Sequence, residues 1–176
     1  MKIIITESQY KRILKEEEEQ KILRIPSFKF FNNDWDLLQK FLERNGNQPY
    51  SIGGDLDLRE TQIESLGNLQ SVGGYLDLRE TQIKSLGNLT SVGGNLKLLY
   101  TSIESLGNLE SVGGDLDLYG TPIKSLGNLQ SVGGDLDIYD TPIESLGNLK
   151  SVGGILDLLG TPLSMDVFRE TNFGNG

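Results

Sequence analysis

The chain is 176 residues long and contains neither Cys nor His, a length close to the ~150 residues expected of a single domain. The missing residues exclude zinc sites built on Cys or His, disulfide scaffolds, Cys nucleophiles and every Ser-His-Asp or Cys-His mechanism. Sixteen Lys and Arg against 25 Asp and Glu leave a formal charge of −9, which argues against nucleic acid as a ligand.

Hydrophobic residues make up 36% of the chain and 22 residues are Gly. So much Gly beside so much Leu belongs to a low-complexity chain or to a repeat array. The opening MKIIITESQYKRILKEEEEQ lacks the apolar core of ~7–15 residues and the small-residue cleavage site of a secretory signal. No apolar run approaches the ~20 residues that span a bilayer. The expectation is a soluble, cytoplasmic protein with no membrane partner, and a Cys-free chain fits a reducing compartment.

Residues 1–50 differ in composition from the rest, holding Trp35 and four of the six Phe. Thr6-Glu7-Ser8-Gln9 has the pattern of a capping box and predicts a helix running to about Leu23, ended by Pro26. Its Glu16–Glu19 run is read as a solvated face. Asn33 or Asp34 can cap a second helix from Trp35 to about Arg44, closed by Asn45-Gly46. Trp35, Leu38, Phe41 and Leu42 share one face of that helix. This face is expected to cover the first repeat, with Phe28, Phe30 and Phe31 filling the junction.

From Ser51 the sequence repeats every 20 residues. The third unit, SVGGNLKLLYTSIESLGNLE (91–110), is representative, and five units keep S-[IV]-G-G-x-L-x-[LI]-x-x-T-x-I-x-S-L-G-N-L without a gap. Apolar residues occupy positions 2, 6, 8, 13, 16 and 19 of each unit. Positions 6 and 8 alternate with polar neighbours, the pattern of a short strand with one buried face. Six apolar side chains cannot order 20 residues alone, so the unit is stable only when stacked. The Asn88-Leu89-Thr90 sequon falls inside this pattern, and its Asn is read as structural.

The spacing L-x-L-x-x-T-x-I resembles the core of the leucine-rich repeat, L-x-L-x-x-N-x-L, over residues 51 to about 163. The resemblance implies one strand per unit in a parallel sheet on the inner face of a curved, right-handed solenoid. Two departures stand out. Thr61, Thr81, Thr101, Thr121, Thr141 and Thr161 replace the family's Asn, and Gly stands three residues before the first strand Leu, where the family has Leu. A Thr hydroxyl can hydrogen-bond turn backbone, so a Thr ladder can replace the Asn ladder. The Gly-Gly-x-Leu-x-[Leu/Ile] pattern is also similar, more weakly, to the repeats of receptor L domains. Two Gly sites per unit leave little room for an outer α-helix, so the outer segments are expected to be extended or 3₁₀-like. Asn68, Asn88, Asn108, Asn128 and Asn148 are expected to form a second ladder. The consensus fails after Leu163, and residues 164–176 are read as a C-terminal cap and tail, with Met165, Val167 and Phe168 covering the last repeat. The expected division is therefore a helical cap over 1–50, a six-unit solenoid over 51–163 and a cap and tail over 164–176.

Positions that stay constant between units are scaffold, and positions that vary are surface. On the strand, positions 5, 7 and 9 point away from the core. Position 5 reads Asp55, Tyr75, Asn95, Asp115, Asp135 and Ile155. Position 7 reads Asp57, Asp77, Lys97, Asp117, Asp137 and Asp157. Position 9 reads Arg59, Arg79, Leu99, Tyr119, Tyr139 and Leu159, with Tyr100 and Asp140 just beyond. Position 7 is thus a column of carboxylates at a spacing of ~4.8 Å, interrupted by Lys97 and offset by Arg59 and Arg79 at its N-terminal end. One reading is an acidic, tyrosine-edged surface for a protein with a basic surface, since Tyr and Arg are enriched at binding hot spots. The other is that Asp is a tolerated solvent-facing residue copied at each duplication. A flat strand surface supplies too few oxygens for a cation cage, so no metal is expected, and no cofactor or catalytic pair is marked out. Position 14 alternates Glu64, Lys84, Glu104, Lys124 and Glu144 and is read as a weak surface charge ladder.

The expected function is protein–protein binding through the inner strand face, without catalysis. Residues 51–176 hold 17 acids and 7 bases, which keeps open an acidic charge mimic that occupies a DNA-binding protein. A structural element of a larger assembly is a third possibility. The start IITESQYKRIL is similar to the N-termini of small phage-encoded proteins, which implies a viral accessory role.

Overall fold

A computed structural model describes residues 6–9, 11 and 22–163. Its strands in chain order are β1 (Leu23–Ile25), β2 (Tyr50–Ile52), β3 (Leu56–Asp57), β4 (Leu69–Val72), β5 (Leu76–Asp77), β6 (Ser91–Val92) and β7 (Leu96–Lys97). There follow β8 (Ser111–Val112), β9 (Leu116–Asp117), β10 (Ser131–Val132), β11 (Leu136–Asp137), β12 (Ser151–Val152) and β13 (Leu156–Asp157). They form two parallel sheets, a seven-stranded one in the order β1-β2-β4-β6-β8-β10-β12 and a six-stranded one in the order β3-β5-β7-β9-β11-β13. The chain is a parallel β-solenoid with one turn per 20-residue unit and little helix.

The L-x-L segments form the six-stranded sheet, paired in a strict 20-residue register, as in Leu96↔Leu116 and Leu116↔Leu136. The segment expected to be merely extended or 3₁₀-like contains a second sheet built on Ser-Val, with Ser91↔Ser111 and Val92↔Val112 in register. The third side is looser: Ser85↔Ser105 and Ser125↔Ser145 form isolated bridges. All six apolar positions of the third unit, Val92, Leu96, Leu98, Ile103, Leu106 and Leu109, are at most 2% exposed. The core is a stack of identical layers, each sandwiched by its neighbours.

The Gly-Gly corner joins the two sheets, and there the turns touch. A Cβ on Gly113 would overlap the carbonyl of Gly93, and the same holds at Gly73, Gly93, Gly133 and Gly153 against the preceding unit. Hydrogen bonds run through this contact, from the Gly113 N–H to the Val92 carbonyl at 2.8 Å and from the Gly114 N–H to the Gly94 carbonyl at 3.1 Å. A Leu at this position is excluded because only hydrogen fits between two backbones at strand spacing.

The six Thr do not form a ladder between units. Each hydroxyl donates to the carbonyl of the second Leu or Ile of L-x-[LI], three positions earlier in its own unit, as in Thr101 Oγ1 to the Leu98 carbonyl at 2.7 Å and Thr121 Oγ1 to the Leu118 carbonyl at 2.8 Å. This bond closes the turn after the strand, where the residue before Thr is left-handed: Glu60, Glu80, Tyr100 and Asp140 have φ between 53° and 60°. The shorter Thr side chain folds back onto its own turn rather than reaching the next unit. The Asn ladder is intermittent. Asn88 Nδ2 donates to Asn68 Oδ1 at 3.2 Å, and Asn68 Nδ2 donates to the Asn47 carbonyl at 2.7 Å. Asn108 and Asn148 bond the preceding unit through their backbone N–H instead.

At the N-terminal end the capping box is formed, with Thr6 N–H donating to Gln9 Oε1 at 2.8 Å and Gln9 N–H to Thr6 Oγ1 at 3.3 Å. The helix does not reach Leu23, because Leu23–Ile25 is β1, paired with β2. A strand there satisfies the otherwise open edge of the first repeat, and Pro26 favours an extended residue before it. The second helix, α1 (Trp35–Arg44), has its expected bounds and is capped by Asp34, whose Oδ1 accepts from the Leu37 N–H at 3.0 Å. Leu38 and Leu42 are buried, whereas Phe41 lies at the rim against Phe31, with ring centroids 5.2 Å apart. Phe28 is buried and meets Trp35 edge-on. Phe30 does not fill the junction; it is 73% exposed, because the 3₁₀ turn Phe28–Phe31 points consecutive residues in different directions. Among the described residues no helix is long and apolar enough to cross a membrane. The expected C-terminal cap over 164–176 lies outside the described residues.

Gly113→Ala is expected to cost about 3 kcal/mol, because backbone rather than a flexible side chain must move. Gly120→Ala, at φ 64° with nothing within 4 Å of the added Cβ, is expected to cost about 1 kcal/mol. Thr121→Val removes the buried hydroxyl bond and is expected to cost about 1 kcal/mol. Urea unfolding of the three variants checks this order.

Candidate functional site

The outward face of the six-stranded sheet carries positions 5, 7 and 9, and the structure gives each a different job. Position 5 follows the Gly-Gly corner, where the chain leaves one sheet for the other. There the side chain bridges to the next unit. Asp55 Oδ1 accepts from the Tyr75 N–H at 3.0 Å, Asn95 Oδ1 from the Asp115 N–H at 3.0 Å, Asp115 Oδ1 from the Asp135 N–H at 2.9 Å and Asp135 Oδ1 from the Ile155 N–H at 2.7 Å. Asn95 Nδ2 also donates to Asp115 Oδ2 at 3.0 Å. This is the side-chain ladder of the fold, and it was not anticipated at this position. Its signal in the sequence is an Asp or Asn directly after Gly-Gly in four of six units.

Position 7 turns the chain out of the strand. Asp57, Asp77, Asp117, Asp137 and Asp157 each accept, through Oδ1, from the N–H two residues ahead, at 2.9–3.3 Å. This local bond starts the turn that ends at the buried Thr. Lys97 cannot accept such a bond and stands in the only unit without it among the described residues.

In the first two units position 9 is Arg, and the carboxylates are neutralised within the chain. Arg59 Nη2 lies 2.8 Å from Asp57 Oδ2, and Arg79 Nη2 lies 2.7 Å from Asp77 Oδ2. Arg59 Nε also reaches Asp77 Oδ2 at 3.6 Å, linking the two units. Asp77 is 3% exposed. The Arg59 guanidinium holds the Asp57 carboxyl below its ordinary range, and the bonds to Asp57 and Asp77 raise the two guanidinium groups in turn. Asp55, Tyr75, Asn95 and Lys97 complete the walls of a shallow depression around this network.

From the third unit onward the face changes. Tyr100, Tyr119 and Tyr139 form a ridge: Tyr119 stacks on Tyr139 with centroids 5.4 Å apart and planes 16° apart, and Tyr100 meets Tyr119 edge-on at 6.1 Å. Tyr100 is 63% exposed and Tyr139 is 39% exposed. Tyr100, at position 10 of its unit on left-handed backbone (φ 57°), meets the position-9 column at the Tyr119 ring. Beyond the ridge Ile155 and Leu159 are also exposed, and Asp140 lies near enough to help raise the Tyr119 phenol, whose main perturbation is Tyr100. No ion pair reaches Asp117, Asp137 or Asp157 among the described residues. Burial raises the Asp117 carboxyl above its ordinary range; the Tyr119 N–H pulls against it, Asp137 adds a further push, and Lys97 and Arg79 add smaller opposing pulls.

The structure therefore brings the anticipated residues together as two sets on one face. Asp57, Arg59, Asp77 and Arg79 form a closed charge network. Tyr100, Tyr119 and Tyr139 form a ridge beside Asp117 and Asp137, with Asp157 one unit further on. Asp55, Asn95, Asp115 and Asp135 serve the scaffold ladder while sharing this face. The position-14 alternation makes no ion pair among the described residues; it is joined through backbone, as in the Glu104 N–H to the Lys84 carbonyl at 2.9 Å. Among the described residues no cluster of three or more acids is arranged to hold a metal ion. No protein-family profile matches the chain, and neither a curated protein nor a solved structure does.

The two halves respond oppositely to charge removal. Asp57 has a lowered folded-state pKa, so its stabilising contribution is present above the unfolded value of about 3.9 and is lost as pH falls through the folded value. Asp117 has a raised one, so its contribution is present below the unfolded value and is lost as pH rises through the folded value. At pH 7, Asp117→Asn is expected to raise the Tm and Asp57→Asn to lower it, and both differences shrink toward pH 3. Asn keeps the turn-forming oxygen in both cases. Thermal unfolding across that pH range checks the signs.

Proposed function

We propose that the chain is a leucine-rich-repeat-type protein that binds a partner protein through the outward face of its six-stranded sheet, without catalysis. The family assignment rests on L-x-L-x-x-T-x-I falling on a strand and its closing turn in every unit. The observation that carries the function is the Tyr100-Tyr119-Tyr139 ridge, with Tyr100 and Tyr139 exposed and Tyr119 half-buried between them, beside the carboxylates of units 4 and 5. Aromatic rings left partly in water on a sheet face gain by being covered, and Tyr offers large contact area at low side-chain entropy cost. The partner contributes a basic surface. Charge mimicry, the competing proposal, draws less support because the N-terminal half of the face neutralises its own carboxylates.

Affinity capture from a lysate of the source organism, read by mass spectrometry, tests the reading. The control bait carries Tyr119→Ala and Tyr139→Ala. A protein captured by the native bait and lost from the control is the expected result. Equal capture by both baits overturns the assignment to this face. Capture that survives loss of the Tyr pair but collapses steeply with salt selects charge mimicry instead.

A further inference from the structure

Units 1 and 2 display, within the chain, what units 4 and 5 lack. All four share one backbone in a 20-residue register, and in all four the position-7 Asp uses Oδ1 to accept from the N–H two residues ahead. In units 1 and 2 the remaining oxygen, Oδ2, holds an arginine guanidinium at 2.7–2.8 Å. In units 4 and 5 the residue that would supply the guanidinium is Tyr119 or Tyr139. The Asp117 and Asp137 carboxylates there have no cation within 4 Å among the described residues, and a stacked aromatic pair stands beside them.

We infer that this half of the face binds the arginine side chains of a helical segment of a partner protein, one guanidinium on Asp117 and one on Asp137, each packed against the Tyr119–Tyr139 pair. The inference rests on the binding role proposed above and names the chemistry of the partner. Arginine is chosen over lysine because a planar guanidinium bonds a carboxylate and stacks on an aromatic ring at once. A helix is chosen on spacing. Neighbouring carboxylates of the column are one strand apart, ~4.8 Å. Residues at i and i+4 of a helix lie ~5–6 Å apart, within the adjustment of two flexible side chains. Alternate residues of an extended peptide lie ~6.7 Å apart, a larger mismatch over the single interval from Asp117 to Asp137 than the helix makes. The helix axis therefore runs along the solenoid, across the strands. Charge favours this end of the face, since Arg59, Arg79 and Lys97 occupy the other.

The test uses the full chain and three fluorescent alanine-based peptides, read by anisotropy. One peptide carries arginines at i, i+4 and i+8, one carries lysines at those positions, and one carries arginines at alternate positions interrupted by proline. The expected result is binding of the helical arginine peptide, with the other two weaker by about fivefold or more. Two variant sets then probe the site. Asp117→Asn with Asp137→Asn removes the charge and keeps the turn, and is expected to weaken binding about tenfold. Tyr119→Arg with Tyr139→Arg rebuilds the arrangement of units 1 and 2, so it is expected to fold and to abolish binding by filling the carboxylates in cis. Thermal unfolding of each variant verifies the fold. Equal binding of the arginine and lysine helices, or indifference to either variant set, overturns the inference. If no peptide binds while lysate capture still depends on the Tyr pair, the guanidinium inference fails and the binding role stands. If capture fails as well, both fall.

Discussion

Consecutive turns of this chain approach one another at the spacing of hydrogen-bonded strands, and at the first Gly of each Gly-Gly pair from Gly73 onward nothing larger than hydrogen fits between them. Close approach there lets one backbone run serve two sheets, with the Gly N–H donating across the corner to the preceding Ile or Val carbonyl. Those bonds align every unit on the last, so Leu lies over Leu and Thr over Thr. The layered core, the regular columns on the surface and the steric intolerance of the corner all follow from that alignment.

Exact stacking has an electrostatic cost. Any charge written into the unit is repeated about every 4.8 Å up the column, and like charges so placed oppose folding. Units 1 and 2 relieve this with Arg59 and Arg79, which turn four side chains into one network with Asp77 nearly buried inside it. Units 4 and 5 leave the same carboxylates without an ion pair among the described residues, and Asp117 is raised first by its burial and then by Asp137. A scaffold that needed Asp only for its turn would be served equally well by Asn, which offers the same acceptor oxygen. Retained charge beside exposed aromatic rings is therefore what sets the C-terminal half of the face apart from a solvated scaffold surface.

Scaffold and surface cannot be separated position by position. The position-5 carboxylates are exposed and yet hold the next unit's N–H. The position-7 carboxylates share their two oxygens between the local turn and whatever stands outside. Tyr75 and Lys97, each a break in its own column, line the same depression, where the closed charge network gives way to the unpaired carboxylates.

The sequence by itself determined the 20-residue turn, the strand on L-x-L, the buried positions, the bounds of α1 and the scarcity of helix, because periodic apolar burial and local capping are written in neighbouring residues. It marked Tyr119, Tyr139 and the Asp column as facing away from the apolar core for the same reason, though the stack buries Asp77. Only the tertiary structure decided the rest. The second sheet on Ser-Val, β1 in place of a helix at Leu23, the in-unit Thr bond and the position-5 ladder all depend on which backbone groups the adjacent turn leaves unpaired. That adjacency also made Tyr100 part of a ridge from another position of its unit. Such groupings are properties of the stack, set where hydrogen bonds between turns bring residues 20 apart into contact.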